Sequence, residues 1–153
     1  FRLHEGCYLF ISLESFAPRI YLIKRKLRDL EKQSVSPHPF VLLLKKRLSG
    51  AIVKKISKDE NERIVRFKLQ ADDEIEGLKN YTFIVQLTGR SANLFLLDEN
   101  DFIIDSQREN EGAGQTIATK FSAPVREGEK RGDDEIFPQK DFPTLSAALD
   151  DYY

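Results

Sequence analysis

The sequence predicts an α+β domain with a mainly antiparallel, β-sandwich-like sheet and one amphipathic helix. The clearest helix covers residues 39–49, which begin with a proline, carry apolar side chains at helical spacing and precede Gly50. After Gly50 the apolar period changes from helical to alternating, most cleanly over residues 62–70. Alternating segments on both sides of a single helix are typical of a β meander that one helix interrupts.

The same alternation places the other elements in order. Residues 8–13 and 19–24, separated by a turn at Pro18, predict a hairpin. A short helical turn is expected from Lys24 to Lys32, and an acidic turn from Asp72 to Asn80. Past the helix, strands are predicted at 51–57, 62–70, 81–88, 94–97 and 102–105.

The apolar period disappears after Ser106, which suggests three regions. We expect a partial globular domain over residues 1–107, an acidic flexible linker over residues 108–142, and the start of a helical or coiled-coil segment over residues 143–153. The chain opens on Phe1 without a start methionine or a signal-peptide pattern, so we expect a fragment of a longer protein.

Composition excludes several classes of protein. With 41% hydrophobic residues the chain is not wholly disordered, and no apolar run approaches the ~20 residues of a membrane span. A single cysteine, Cys7, favours a reducing, cytoplasmic compartment. His4 and His38 lack metal-ligand spacing, so we expect no metal, no small-molecule cofactor and no catalytic site.

Charge is distributed unevenly along the chain. Residues 19–58 hold twelve Lys/Arg and two acids, net +10, whereas residues 98–153 hold six bases and fourteen acids, net −8. Such asymmetry suggests one surface for a polyanion. The alternative is a solvated helix face with ordinary edge-strand lysines. The cations in question on the helix and the next strand are Lys45, Lys46, Arg47, Lys54 and Lys55.

A second feature is the break between two strands at residues 88–93. Its Gly89-Arg90-Ser91 turn offers backbone N–H groups and a guanidinium, which suit a phosphate or a carboxylate. Alternatively, Gly89 permits a bend and Asn93 bonds the turn backbone. A third feature, Glu62-Arg63 at a strand start, is by itself only an exposed pair.

Taken in order, several motifs resemble one family. They are Ala17 to Leu22 (APRIYL), Phe40 to Gly50 (FVLLLKKRLSG), Glu62 to Val65 (ERIV), Gln86 to Asn93 (QLTGRSAN), Leu96 to Glu99 (LLDE) and Ile103 to Ser106 (IIDS). This ordered set is similar to the N-terminal domain of NFACT proteins, which include the fibronectin-binding protein A group, RqcH and NEMF. The resemblance covers about residues 8–106.

The resemblance implies a fold similar to the N-terminal domain of formamidopyrimidine-DNA glycosylases. It also implies an RNA- and tRNA-binding module of a protein that rescues stalled large ribosomal subunits, with tRNA and the large subunit as partners. The family's Asp-Arg pair matches Glu62-Arg63, with a longer carboxylate. Its Gly-Arg-His-Ser-Asn turn matches residues 89–93 without the histidine. The RNA-binding residues expected on this basis are Glu62, Arg63, Arg90, Ser91 and Asn93, with Lys45, Lys46, Arg47, Lys54 and Lys55 as general phosphate contacts.

Two other functions compete with this one. The first is a surface adhesin that binds a host matrix protein such as fibronectin, as the family's older name suggests. The second is a glycosylase-like enzyme, which would need a catalytic amine or carboxylate that this sequence does not show. We therefore expect a binding module and no enzyme.

Overall fold

The computed structural model describes residues 1, 7–24, 36–73, 77–109 and 114–124. Residues 25–32 of the turn predicted from Lys24 to Lys32 lie outside these residues, as does the predicted helix over 143–153. In chain order the elements are β1 (Tyr8–Ser12), β2 (Arg19–Ile23), α1 (Pro39–Leu48), β3 (Ile52–Lys58), β4 (Ile64–Asp73), β5 (Gly77–Gln86), a 3-10 turn (Gly89–Ser91), β6 (Asn93–Leu97) and β7 (Ile103–Ser106).

Strands β3 to β7 form a five-stranded antiparallel meander in sequence order, and β1 and β2 form a separate hairpin. This arrangement confirms the predicted α+β class. The β4–β5 ladder runs from the Ile64–Gln86 pair to the Asp73–Gly77 pair. The turn between these strands is therefore shorter than the one predicted, because strand alternation continues into the acidic residues.

Helix α1 begins where the sequence predicts. His38 is its N-cap, and the imidazole Nδ1 accepts a hydrogen bond of 3.3 Å from the backbone N–H of Phe40. Pro39 occupies the first turn, where its missing N–H costs nothing. The chain leaves the helix through Gly50, whose φ of +75° favours glycine. His38 thus has a structural role.

One face of the meander holds the main hydrophobic core. Phe40 and Leu44 of α1 are 1% and 3% exposed and pack against it, and the apolar residues of the β1–β2 hairpin add to this layer. Buried side chains of the sheet complete the cluster: Phe67, Leu69, Ala71, Tyr81, Phe83, Val85, Leu94 and Leu96. We call this side of the sheet the inner face.

The opposite, outer face holds a second cluster formed by Ile64, Ile84, Phe95, Leu97, Ile103 and Phe121. Phe121 comes from the 114–124 segment, which falls within the predicted acidic linker. It packs at 5.1 Å, edge to face, on the ring of Phe95. Backbone bonds between this segment and the sheet, such as Ile103 N–H to Thr119 O at 2.9 Å, hold it in place. Residues 114–124 therefore pack on the outer face of the sheet through the Phe121 ring and backbone hydrogen bonds, although their sequence is mostly polar.

The described residues contain no helix long and apolar enough to cross a membrane.

Candidate nucleic-acid interface

Two of the predicted site elements meet at one end of the meander. Arg63 immediately precedes β4, and its carbonyl accepts a 2.7 Å hydrogen bond from the N–H of Leu87, just after β5. The 3-10 turn follows at once, so antiparallel pairing brings it to the start of β4. A Cβ added to Gly89 would lie 4.0 Å from Nη2 of Arg63, which places the guanidinium beside the turn.

Both arginines at this end are open to solvent. Arg63 and Arg90 are exposed, and neither forms an ion pair or side-chain hydrogen bond with any residue that the structure describes. Ser91 is exposed beside Arg90, and Glu62 is half-buried with an interaction of its own. We call Arg63, Arg90 and Ser91 the arginine site. Its two unpaired guanidiniums can donate to the oxygens of a phosphate.

Hydrogen bonds from two buried side-chain amides support the 3-10 turn. The side-chain N–H of Gln86 donates to the carbonyl of Ser91 at 2.7 Å, and Gln86 itself is fully buried. Gln115 then donates from Nε2 to Oε1 of Gln86 at 2.9 Å and to the carbonyl of Ser122 at 3.2 Å. The 114–124 segment thereby fixes the backbone that presents Arg90. No local pattern marks these two glutamines as partners, because Gln115 is 29 residues from Gln86 along the chain.

Asn93 lies under the same turn, with only 2% of its surface exposed. Its amide oxygen accepts from the backbone N–H of Leu94 and of Arg108, both at 2.9 Å. Its amide nitrogen donates to the carbonyl of Arg108 at 2.9 Å. These bonds engage both polar atoms of the side chain in joining β6 to the chain after β7. Asn93 therefore bonds backbone, as in the second alternative, but its partners are Leu94 and Arg108 and not the turn itself.

Arg108 itself is a residue that the sequence did not single out. Its guanidinium donates to the carbonyl of Ala92 at 3.2 Å and to that of Leu13 at 2.9 Å. It therefore ties the end of β1 to the residue after the 3-10 turn, across 95 positions of sequence for the longer link. No local pattern around Arg108 marks this role, since its partners are backbone carbonyls.

The predicted helix cations are divided between two places. Lys45 and Lys46 are exposed on α1, and Lys45 lines a cavity of about 850 Å³ whose rim also includes Arg108. Arg47 instead lines a smaller pocket of about 290 Å³ with Asp98 and Glu99, at the other end of the sheet. The structure thus separates Arg47 from the arginine site.

The two predicted strand cations lie on β3. Lys54 and Lys55 are exposed, and the pairing between β3 and β4 is irregular between Val53 and Lys55. Lys55 pairs directly with Lys68 of β4, which sequence analysis did not include. Lys54 and Lys55 therefore lie on a part of the sheet surface that is separate from the arginine site.

A different arginine is engaged in the fold. Arg66 makes a two-pronged salt bridge to Asp59, with distances of 2.6 and 2.7 Å. Its carbon Cζ lies 5.2 Å from the centre of the Phe121 ring. The hydrogen bond to Asp59 raises the pKa of Arg66 above its ordinary value, against the opposing effect of burial. Within the described residues no group of three or more His, Cys, Asp or Glu is placed to hold a metal ion.

The part of the chain that the structure describes is an α+β domain: an antiparallel meander with one helix and, at one end of the sheet, two exposed arginines without a described partner. A family model described as the NFACT N-terminal and middle domains matches residues 1–120 of this chain. The chain therefore belongs to the NFACT family.

Characterised relatives agree with this assignment. The Rqc2 homolog RqcH of Streptococcus suis (strain 05ZYH33) is 35% identical over 93 residues, which is 61% of this chain and 16% of that protein. The Rqc2 homolog RqcH of Streptococcus pneumoniae serotype 2 (strain D39) is 33% identical over 64 residues, or 42% of this chain and 12% of that protein. The chain thus spans about one sixth or less of the length of these relatives.

Solved structures share the fold. The fibrinogen-binding protein from Staphylococcus aureus superposes with a TM-score of 0.67 at 24% identity, covering 82% of this chain and 44% of that one. The N-terminal part of the fibronectin/fibrinogen-binding protein from Streptococcus suis gives a TM-score of 0.65 at 26% identity, covering 84% and 48%. This chain spans about half of either structure.

Proposed function

We propose that this chain is a tRNA-binding module of an NFACT-type protein of ribosome-associated quality control, acting in the cytoplasm on a stalled large ribosomal subunit. Membership of the NFACT family and the likeness to two RqcH proteins support this role. The observation that carries it is the arginine site: Arg63 lies beside the turn that bears Arg90, and neither guanidinium has a partner within the described residues.

The proposed mechanism is electrostatic and does not include catalysis. Arg63 and Arg90 contact phosphate or base edges of the RNA, because a guanidinium can donate two parallel hydrogen bonds. Ser91 adds an exposed hydroxyl. The exposed Lys45 and Lys46 contribute general attraction to the phosphate backbone. Glu62, half-buried next to Arg63, orients that side of the site, and Asn93 acts from beneath by holding the backbone.

A double-mutant cycle tests the proposal. We expect Arg63→Ala and Arg90→Ala each to weaken tRNA binding by about 5- to 150-fold, the range of a lost specific arginine contact. If both arginines hold the same phosphate of the RNA, they are coupled, and their combined loss is smaller than the product of the single losses. Lys120→Ala is the matched control, because Lys120 is exposed and pairs with Phe102 at the other end of the sheet.

Fluorescence anisotropy with labelled tRNA measures all four affinities, and circular dichroism checks that each variant is folded. Equal affinity of the parent and the Arg63→Ala variant contradicts the proposal. So does an equal loss in the Lys120→Ala control, because the effect is then one of net charge alone.

A second candidate is an adhesin that binds a matrix protein such as fibronectin. The names of the solved neighbours favour it, since those proteins are described as fibrinogen- or fibronectin-binding. Immobilised fibronectin distinguishes the two functions. An adhesin retains fibronectin binding in the presence of excess tRNA and in the Arg63→Ala variant, whereas a tRNA module binds fibronectin weakly or loses it to tRNA.

A further inference from the structure

A pair of lysines faces outward from the middle of the sheet. Lys55 of β3 and Lys68 of β4 are direct cross-strand partners, so their side chains project on the same face. That face is the outer one, because Lys68 alternates in phase with Ile64 and Arg66 of β4. Both lysines are exposed. We call them the lysine pair.

Nothing in the described fold explains why two positive charges stand opposite each other. Among the described residues, neither lysine forms an ion pair or a side-chain hydrogen bond. Like charges placed directly across two strands repel and destabilise a sheet. Lys55 could protect the edge strand β3 from pairing with other chains. That reason does not apply to Lys68, because β4 is an interior strand between β3 and β5.

Among the described residues, the strand neighbours of the lysine pair include no carboxylate. The nearby carboxylate of Asp59 is already bound by Arg66. Ser57 and Gln70, which flank the pair by strand register on the same face, are polar and half-buried. Phe121 packs against the cluster centred on β5 to β7 and leaves the lysine pair exposed.

We propose that the lysine pair binds a backbone phosphate of RNA, as a second contact separate from the arginine site. This inference rests on the proposed function. Directly opposed residues have Cβ atoms about 4.5–5.5 Å apart, so both flexible ammonium groups can reach one phosphate. Arg63 immediately precedes β4, and Lys68 lies on that strand five residues later, a separation of about 16 Å along the strand at about 3.3 Å per residue. One RNA can therefore contact both places, at different phosphates.

A salt titration of tRNA binding by the whole chain tests this inference. The double variant Lys55→Gln and Lys68→Gln removes one phosphate contact, so the slope of log affinity against log salt becomes shallower by about 0.7–0.9. The control pairs Lys24→Gln with Lys120→Gln, which removes the same charge from exposed lysines elsewhere. The control slope stays at the parent value. Equal slopes for the two double variants overturn the inference, provided that urea unfolding shows both to be folded.

Amide chemical shifts of the parent during a tRNA titration separate this inference from the proposed function. Shifts at Ser57 and Gln70 support the lysine pair, and shifts at residues 89–91 support the arginine site. Shifts at residues 89–91 alone overturn the inference and leave the proposed function standing. Shifts at Ser57 and Gln70 alone support the lysine pair and contradict the role of the arginine site, and no shift at either place overturns both. Shifts at Ser57 and Gln70 that poly-glutamate causes and tRNA does not cause assign the lysine pair to an acidic protein. That result also overturns the inference.

Discussion

The buried glutamine pair offers the sharpest test of how the fold shapes the arginine site. Gln86 and Gln115 are 0% and 3% exposed, and they hydrogen-bond each other at 2.9 Å. Gln86 also supports the carbonyl of Ser91 at 2.7 Å. Replacing either glutamine with leucine keeps the approximate volume but leaves buried polar atoms of the other glutamine without this partner.

The magnitudes follow from the atoms left unpaired. In Gln115→Leu the buried Oε1 of Gln86 loses its donor, which costs about 1–3 kcal/mol of unfolding free energy. In Gln86→Leu the carbonyl of Ser91 and one N–H of Gln115 lose their partners, at a similar cost of about 1–3 kcal/mol. The double variant has no unpaired amide of the pair left. Its loss is therefore smaller than the sum of the single losses by at least about 1 kcal/mol.

Urea unfolding of the 153-residue chain measures this cycle, with Gln70→Leu as the control. Gln70 is a half-buried residue of β4 whose contact with exposed Asn80 is long, at 3.5 Å. We expect the control to change stability by less than about 0.5 kcal/mol. Single losses that simply add, or that match the control, would refute the view that the two glutamines form one buried unit.

Three further changes test other parts of the fold by urea unfolding. Gly89→Ala should lower the free energy of unfolding by about 1–2 kcal/mol, because φ at this position is +63°. The cost is one of backbone strain alone, since the new Cβ meets no atom closer than 3.9 Å. An unchanged urea midpoint contradicts this expectation. Asp59→Asn should lower the free energy of unfolding by about 1–2 kcal/mol, because it breaks the salt bridge to Arg66. The side chains of Asp59 and Arg66 are 23% and 26% exposed. A loss of stability that persists fully at 1 M salt argues against an ionic origin. Leu44→Ala, at 3% exposed, should cost about 2–5 kcal/mol, and a loss below about 1 kcal/mol would show that α1 is not part of the core.

The strands and the helix could be predicted from sequence because each buries one face. Alternation over 62–70 and helical spacing over 39–49 are local signals, and both elements formed within a few residues of the predicted bounds. The acidic turn was predicted over too many residues. Its charged residues do not show the apolar alternation of a strand, although the β4–β5 pairing continues to Asp73. The 114–124 segment was predicted as linker because a single buried phenylalanine has no period to detect.

The candidate site was predictable only in part, for a related reason. Arg63 lies beside the turn that bears Arg90 because β4 and β5 are antiparallel neighbours, which is the pairing that a meander of the predicted strands requires. Sequence could not show that Arg47 lies with Asp98 and Glu99, since helix orientation depends on tertiary packing. The role of Arg108 was hidden because its partners are backbone carbonyls.

The most direct test of the central claim is the salt dependence of tRNA affinity for the parent chain and its Arg63→Ala variant. Several phosphate contacts predict a linear fall of log affinity with log salt, at about −0.7 to −0.9 per phosphate. We expect a steep slope for the parent chain together with weaker binding by the variant at every salt concentration. Absence of binding at low salt, or two superimposable titrations, would contradict the claim that the arginine site holds tRNA.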